Sequence, residues 1–498
     1  MKKIMKLMSL LFLVAATQYS CINDADVDAP DSITSDSNGN LALYFEIPNV
    51  LKDARSVESS GETETGSSDE YKVNHLTLYL FDSKTKVFME SYDLKDFTYS
   101  NTSGQNIQYA RKTVIVKPGT YNIFAIANGD PIARNFTTQD QFLGAIDATT
   151  YSAGKIPSVP ANGFMMSNRG AANLNVLVED PNQSKKVTSV SISLERVVAK
   201  VEIAQTQDAF LLKDKADKTY ATITIAQFRM LNLATRFYIF RHIAELNSLQ
   251  EPDTYNDANF GAATGNNNYV IDPYFFKKTV ENAPSFNNSD LFYAQALVDL
   301  PANMNDSNWA IMGPANKWSL IYCLENCMYS TAQLNAYTTG VMFKARFDPD
   351  PDHVFDEKGV VSSPSNWPDR MFYVAYNFYT SIEAIRKNTQ YNIPSSINDN
   401  SSTQELEEYK IKRFNKTEHF SCYYNYWIKH LESPVNMDVM EFGTVRNNIY
   451  RLLIKKVKDL GTDEPSIKPT DPDEKEAELD VNIDVFPWVV RNQDIELE

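Results

Sequence analysis

The first patterned stretch of the chain alternates apolar and polar residues with a period of two. Its apolar positions are Leu41, Leu43, Phe45 and Ile47, and Pro48 ends the run. This alternation is typical of a half-buried β-strand, because successive side chains of a strand point to opposite faces of the sheet. Similar runs lie at 75–81, 113–117, 121–126 and 187–194. Several short strands at this spacing predict a β-sandwich over residues 41–205.

A second block, residues 206–460, mixes strand patterns with short amphipathic stretches. The strand patterns lie at 221–226, 339–347 and 449–457, and long loops rich in Asn, Pro and Asp separate them. Together the two blocks predict an all-β fold class, mainly β-strand with short helices.

The last segment, residues 461–498, joins a polar stretch to one more strand pattern. Residues 461–478 are acidic and interrupted by prolines, which predicts an extended linker rather than folded structure. The strand pattern that follows matches 41–47 in number and period, with apolar residues at Leu479, Val481, Ile483 and Val485. After Pro487, the apolar positions Trp488, Ile495 and Leu497 continue it. We therefore predict a spare strand on a flexible tether.

A polar loop, residues 51–70, follows the first strand and contains a single arginine, Arg55. Exposed loops of small polar residues are preferred sites of proteolysis, so Arg55-Ser56 is a candidate cleavage site for an Arg-specific protease. The alternative is a hairpin loop that is never processed, and the loop sequence alone does not choose between the two.

The N-terminus has the pattern of an export signal. Residues 1–20 combine a basic head, an apolar stretch too short to span a bilayer and small residues near a cut, which predicts a signal peptide rather than a buried helix. Cys21 stands where a lipoprotein cysteine would be acylated, for example with palmitate, although cleavage by ordinary signal peptidase is an alternative. Residues 21–40 are rich in Asp, Ser and Asn and predict a flexible tether to the membrane.

Composition narrows the possible functions. The 498 residues are 43% hydrophobic and 12% aromatic, which excludes global disorder, and the net charge of −17 argues against a nucleic-acid partner. No G-x-S-x-G, Walker A or G-x-G-x-x-G motif is present, so we predict no catalytic residue, no cofactor and no enzyme activity.

Three cysteines remain beyond Cys21, and they suggest neither a metal site nor a required disulfide. Cys323 and Cys327 form a Cys-x3-Cys pair, but no second pair matches it and the five histidines are scattered. We favour buried free thiols for these two and for Cys422, over a disulfide or a metal site.

The strand patterns at the two ends suggest a mechanical function. If the chain is cut at Arg55 and residues 41–50 leave, the first sandwich is left with an open groove and unpaired strand edges. Such edges accept a strand from another molecule. Burying four aliphatic side chains there contributes roughly 6 to 12 kcal/mol before ordering costs. Repeating this head-to-tail contact would build an open filament.

Longer strings of the sequence resemble a known family. They are Tyr322-Cys-Leu-Glu-Asn326, Thr338-Thr-Gly-Val-Met-Phe-Lys-Ala345, Tyr424-Asn-Tyr-Trp-Ile-Lys-His430, Val445-Arg-Asn-Asn-Ile-Tyr450, Pro487-Trp488 and Leu194-Glu-Arg-Val-Val-Ala-Lys-Val201. With these strings the chain resembles Bacteroidales fimbrillins of the minor-fimbria major-subunit type.

The resemblance implies a type V pilus subunit with two transthyretin-like β-sandwich domains, 41–205 and 206–460. It implies lipidation at Cys21, cleavage at Arg55-Ser56, release of the first strand (41–55) and a donor strand within 479–497. The implied partners are identical subunits, accessory anchor and tip subunits, the Arg-specific protease and, through the lipid, the outer membrane. The implied location is the outer membrane and the fimbrium, with a part in adhesion and biofilm formation.

Two alternatives stay open at this stage. Within the family, the chain could be an anchor or a tip (adhesin) subunit; an anchor would keep its first strand and a tip would lack a usable donor strand. From another class, a surface lipoprotein could bind glycans with aromatic side chains. Its candidate residues would be Tyr423, Tyr424, Tyr426 and Trp427, which we interpret as core residues.

Overall fold

A computed structural model of the chain describes most of the two blocks. The described residues are 39–47, 64–65, 67–100, 107–129, 135–147, 155–156, 159–168, 175–180, 187–246, 255–258, 268–283, 309–361, 363–388, 390–431, 437–438, 440–473 and 479–489. Cys21, Arg55, Ser56, Ile495 and Leu497 lie outside them.

The first part of the chain contains strands β1 to β13. They are β1 Gly39–Ile47, β2 Glu64–Thr65, β3 His75–Asp82, β4 Phe88–Lys95, β5 Tyr99–Ser100, β6 Ile107–Tyr109, β7 Lys112–Val116, β8 Gly119–Ala127, β9 Ile146–Asp147, β10 Lys155–Ile156, β11 Met166–Asn168, β12 Val176–Val178 and β13 Thr188–Arg196. One large sheet has the order β4-β3-β8-β11-β13-β1-β6-β5, with β12 paired to β8 and β7 paired to β1. Apolar side chains from β1, β3, β8 and β13 share one core.

The second part contains strands β14 to β31. They are β14 Val198–Gln205, β15 Phe210–Lys213, β16 Thr219–Leu231, β17 Phe237–Tyr238, β18 His242–Leu246, β19 Tyr255–Ala258, β20 Asn268–Ile271, β21 Ala310–Ile311, β22 Ser319–Leu324, β23 Gly340–Pro349, β24 Val354–Asp356, β25 Gly359–Val360, β26 Arg370–Val374, β27 Asn377–Tyr379, β28 Lys412–Asn415, β29 Phe420–Trp427, β30 Asn448–Val457 and β31 Leu479–Val489. Three of its sheets have the orders β10-β22-β14-β30-β31-β2, β15-β16-β23-β29 and β25-β24-β27-β26-β28. All three contribute side chains to a second core.

The helices are short. The α-helices are α1 Gln139–Leu143, α2 Ile382–Lys387 and α3 Thr403–Glu407, and 3₁₀ turns lie at Ser68–Tyr71, Phe275–Lys277, Ser330–Ala332, Pro351–His353 and Pro364–Asn366. Ser381 caps α2 by accepting a hydrogen bond from Ala384 N at 3.0 Å, which satisfies one of the free amides at the helix start. Among the described helices, none has the length and apolar character needed to cross a membrane. The all-β fold class is confirmed.

The chain changes sheets at Val197, earlier than the predicted boundary between 205 and 206. β13 ends at Arg196 in the first sheet, and β14 pairs with β22 and in parallel with β30 in the second part. The sequence pattern runs almost without a break through both strands, so periodicity cannot reveal where the sheet changes. A third core joins the two parts, for example where Phe164 packs on Tyr322 with ring centroids 4.6 Å apart.

The prediction of an extended linker before the last strand is wrong for its first thirteen residues. Residues 461–473 lie along the second part, with Thr462 bridged to Tyr423 and Pro472 bridged to Leu334. The last strand does not hang free either, because β31 is hydrogen-bonded to β30 along its length. The prediction failed because these partners are backbone groups far away in sequence, which a local polar composition does not encode.

Candidate assembly site

The strand that the sequence marks for release, β1, lies inside its sheet rather than at an edge. On one side it pairs in parallel with β13, from Leu41 opposite Thr188 to Glu46 opposite Ser193. On the other side it pairs antiparallel with β7 and then with β6. Removing β1 would therefore leave a slot with unpaired backbone groups on both walls.

Side chains of β1 fill the first core. Leu41, Leu43 and Phe45 alternate along the strand and are 0%, 0% and 1% exposed. The Phe45 ring meets Phe97 edge to face, with centroids 5.7 Å apart. Ala42, on the opposite face of the strand, is fully buried as well. The slot is thus an apolar groove whose floor is the centre of the core.

Gly39, at the start of β1, lies so close to its neighbours that the position requires glycine. A Cβ atom on Gly39 would lie 2.6 Å from the Glu179 carbonyl oxygen and 2.6 Å from Val178 Cγ1. A strand that replaced β1 in full would need a glycine here or would have to begin after this point.

The end of the cleavable loop is fixed, and this corrects the prediction that all of 51–70 is exposed. Residues 67–69 are exposed, but Glu70 in the 3₁₀ turn Ser68–Tyr71 is only 1% exposed. Its Oε1 accepts a hydrogen bond from the Tyr322 hydroxyl at 2.6 Å, and its Oε2 accepts one from the Ser67 amide at 2.5 Å. A buried carboxylate is stable only with such partners, so this turn anchors the chain where the loop ends.

Cations surround this anchor at the junction between the two parts. Lys200 Nζ lies 3.2 Å from Glu70 Oε1, and Arg196 Nε donates to the Glu70 carbonyl oxygen at 2.7 Å. Burial lowers the pKa of Arg196 to about 10, which still leaves it charged at neutral pH. Burial together with the Glu70 carboxylate raises the pKa of the Tyr322 phenol, so this hydroxyl stays a donor. Cutting the loop before Glu70 would leave these contacts intact.

The other half of the candidate site is β31. Leu479 lies opposite Val457 at one end of the β30 ladder, and Pro487 lies opposite Asn448 at the other. On its second edge, the partner of β31 within the described residues is β2, which pairs in parallel at the end of the strand, with Glu64 and Thr65 opposite Trp488 and Val489. Leu479 is buried, and Val481 packs against the second core. Within the described residues, β31 is therefore paired along the whole of one side and at one end of the other, whereas β1 is paired along both sides.

Comparison with known proteins connects this arrangement to a family. Residues 40–196 match a family model described as major fimbrial subunit protein (FimA), and residues 418–494 match one described as major fimbrial subunit protein type IV, fimbrillin, C-terminal. The first match ends at Arg196, where the first sheet ends. The resemblance to fimbrillins is confirmed. Both matched models describe major fimbrial subunits, so the similarity is to non-enzymatic structural proteins of cell-surface fimbriae.

Solved structures of fimbrial proteins resemble this chain only distantly. A fimbrilin (fimA) from Porphyromonas gingivalis is 13% identical, with a TM-score of 0.43 over 91% of this chain and 99% of that one. The tip fimbrial protein Mfa3 from Porphyromonas gingivalis, with a C-terminal truncation, is 12% identical, with a TM-score of 0.39 over 91% of this chain and 100% of that one. No curated protein matches the chain.

Two of the strings that carry the resemblance, 322–326 and 445–450, contribute residues to a buried polar network. Arg446 and Glu325 are an ion pair with Nη2 and Oε2 2.8 Å apart, and both side chains are fully buried. Asn326 donates to the Tyr337 carbonyl oxygen at 2.7 Å and accepts from Lys278 at 2.6 Å. These residues hold loops of the second part together, so their role is structural.

The cysteines of the second part are buried free thiols, as predicted, and the disulfide alternative for Cys323 and Cys327 is wrong. Burial raises the pKa of Cys323 to about 12 and that of Cys422 to about 11, so neither is a reactive thiolate at neutral pH. Cys327 Sγ lies 3.5 Å from the Thr444 carbonyl oxygen, which gives its thiol a structural partner. No cluster of His, Cys, Asp or Glu that could hold a metal ion lies in the part of the chain that the structure describes.

The aromatic cluster of β29 is core, as predicted. Tyr424 and Trp427 are buried, while Tyr423 and Tyr426 are half-buried and pack against apolar clusters. The cluster therefore offers no open aromatic platform for a glycan.

Two acids for which the sequence predicts an exposed position are buried, and the prediction of a solvated face is wrong for both. Glu70 and Asp473 each lie in a polar run that is typical of exposed surface, and both are almost fully buried. The one local signal was Ser67, three residues before Glu70, which is the spacing of a capping box. For Asp473 the sequence contained no signal.

Proposed function

We propose that the chain is the polymerising structural subunit of a surface fimbrium of the type V pilus kind. In this proposal it is exported as a lipoprotein acylated at Cys21 and is cleaved at Arg55-Ser56 by an Arg-specific protease. The segment up to Arg55 then leaves, and the C-terminal strand region of another subunit, within 479–497, takes its place. The polymer supports adhesion and biofilm formation.

The observation that carries the proposal is the position of β1. When β1 leaves the sheet, backbone groups of β13 and β7 lose their hydrogen-bond partners and the apolar floor of the groove is exposed. A single strand of matching pattern can pair with both walls and cover the floor. Residues 479–485 have that pattern, with four apolar residues at a spacing of two. A donor strand would exchange pairing along one edge for pairing along two, which favours insertion.

The test treats the purified precursor with an Arg-specific protease and follows oligomers by unheated gel electrophoresis in detergent. We expect a ladder of oligomers from the wild type and none from Arg55→Ala or from a chain that ends at residue 478. Arg111→Ala is the matched control, since Arg111 is exposed between β6 and β7 and lies outside the loop. A product that stays monomeric after complete cleavage at Arg55 would overturn the proposal.

A tip or anchor subunit is the alternative within the same family. A tip subunit would accept a strand but donate none, so mixing it with a cleaved stalk subunit would cap polymers rather than extend them. An anchor would keep its first strand in the assembled fimbrium. Mass spectrometry of assembled subunits decides this point: an N-terminus at Ser56 supports the stalk role, and an intact N-terminal segment supports the anchor.

A further inference from the structure

The chain between β30 and β31 is fastened to its own subunit. We call residues 461–473 the anchored segment. At its start, the backbones of Thr462 and Tyr423 exchange two hydrogen bonds of 2.9 Å each. The approach is so close that a Cβ atom on Gly461 would lie 2.2 Å from the Tyr423 carbonyl oxygen.

The far end of the anchored segment forms a short antiparallel ladder with residues 333–336. Asn335 N donates to the Asp471 carbonyl oxygen at 3.0 Å, and Asp473 N donates to the Gln333 carbonyl oxygen at 3.2 Å. Leu334 lies opposite Pro472 between these two bonds. Peeling the segment away would leave these backbone groups without partners.

A buried side chain closes the ladder. Asp473 is only 4% exposed, and its carboxylate accepts a hydrogen bond from the Thr338 hydroxyl. Burial raises the pKa of Asp473 well above its ordinary value. The anchored segment thus ends in a buried, hydrogen-bonded side chain rather than in a solvated loop.

The described chain after Asp473 is attached to its own subunit by strand pairing. β31 is held by the β30 ladder along one edge, and it has eleven residues against nine in β1. Those eleven residues already suffice to fill the groove that β1 would vacate. Releasing the anchored segment would therefore cost hydrogen bonds and a buried carboxyl while gaining nothing in the groove.

We infer that the anchored segment stays on its own subunit during strand exchange, and that the exchanged part of the chain begins after Asp473. This inference rests on the proposed function. Only six residue steps separate Asp473 from Leu479, about 20 Å of fully extended chain. The groove of the accepting subunit must then lie next to residues 333–338 of the donor, so consecutive subunits are in direct contact.

Two reversible disulfide locks test the inference in a shared Cys21→Ser background of the full chain. The anchor lock is Leu334→Cys with Pro472→Cys, and the strand lock is Leu453→Cys with Asn482→Cys. Both pairs are directly opposite each other in antiparallel strands. At such positions Cα atoms lie about 4.5 to 5.5 Å apart, within the range that a disulfide spans.

Each oxidised precursor is cleaved with the Arg-specific protease and its oligomer ladder is compared with that of the same sample after reduction. We expect the anchor lock to assemble equally well oxidised and reduced, and the strand lock to stay monomeric until it is reduced. An anchor lock that blocks assembly until reduction, beside a strand lock that behaves as expected, overturns the inference and leaves the proposed function standing. A strand lock that assembles fully while oxidised overturns the proposed function itself.

Hydrogen exchange on the wild-type protein gives a second readout that needs no substitution. Amides of residues 333–338 and 461–473 are expected to keep their protection when the precursor becomes polymer. Loss of that protection in the polymer would contradict the inference even if a locked variant failed to fold.

Discussion

Phe45 is the largest side chain that β1 contributes to the first core, and its role should end with cleavage. It is 1% exposed and packs edge to face on Phe97. Phe45→Ala is expected to destabilise the uncut precursor by about 3 to 5 kcal/mol, because it leaves a cavity in the core. The polymer should unfold like wild type, since this residue has left it.

Chemical unfolding of precursor and polymer, monitored separately, checks this prediction. The matched control is Phe347→Ala, which removes an equally buried ring from the second core and should weaken both forms. If Phe45→Ala weakens the polymer as much as the precursor, β1 has not been replaced.

Asp473 should make folding stability depend on pH. Burial raises its pKa well above the ordinary value, whereas in the unfolded chain its pKa is about 3.9. Between these two pKa values the folded state binds more protons than the unfolded state, so the contribution of this residue to stability falls as pH rises. Asp473→Asn removes the titration, and we expect a higher melting temperature at pH 8 with little change at pH 4.

Thermal unfolding of the precursor across this pH range is the measurement. Asp471→Asn is the control, since it makes the same charge change two residues away at a half-buried position. A melting temperature for Asp473→Asn that shifts equally at pH 4 and pH 8 would contradict the assigned cause.

At the scale of elements, the two walls of the groove should report its opening and refilling. β13 and β7 flank β1, so amides on the β1 side of Thr188–Arg196 and Lys112–Val116 are protected in the precursor. We expect hydrogen exchange to speed up there after cleavage and loss of β1, and to slow again in the polymer. Peptides from β23, which lies between β16 and β29, provide the control and should not change.

The sequence predicts those features of the strands that depend on neighbouring residues, and it does not predict which strands pair. The period-two pattern located β1 and β31 well, because alternation is a property of the strand itself. It could not predict that β1 pairs in parallel with β13 or that β31 pairs with β30, since these partners are set by the whole fold. Glu70 was missed for the same reason, because its partners Lys200 and Tyr322 come from β14 and β22.

At the scale of the whole molecule, the groove and the C-terminal strand belong to opposite parts of one subunit. β1 lies in the first sheet and β31 in the second, and a buried core and the Glu70 contacts join the two parts. A contact in which β31 of one subunit enters the β1 groove of another joins two different surfaces and is therefore heterologous. Such a contact extends into an open filament wherever the rotation between subunits does not close a ring.

Like charge opposes this assembly. The full chain has a net charge of −17, and cleavage at Arg55 removes five basic and seven acidic residues, which leaves −15. Approaching cleaved subunits therefore repel one another before a strand can insert. Screening shortens the reach of that repulsion from about 30 Å at 0.01 M salt to about 8 Å at 0.15 M. We therefore expect cleaved subunits to assemble faster as NaCl is raised across this range. Light scattering after protease treatment measures the rate, and KCl at equal ionic strength should act equally. A rate that is unchanged or falls with salt would mean that long-range repulsion does not limit the encounter.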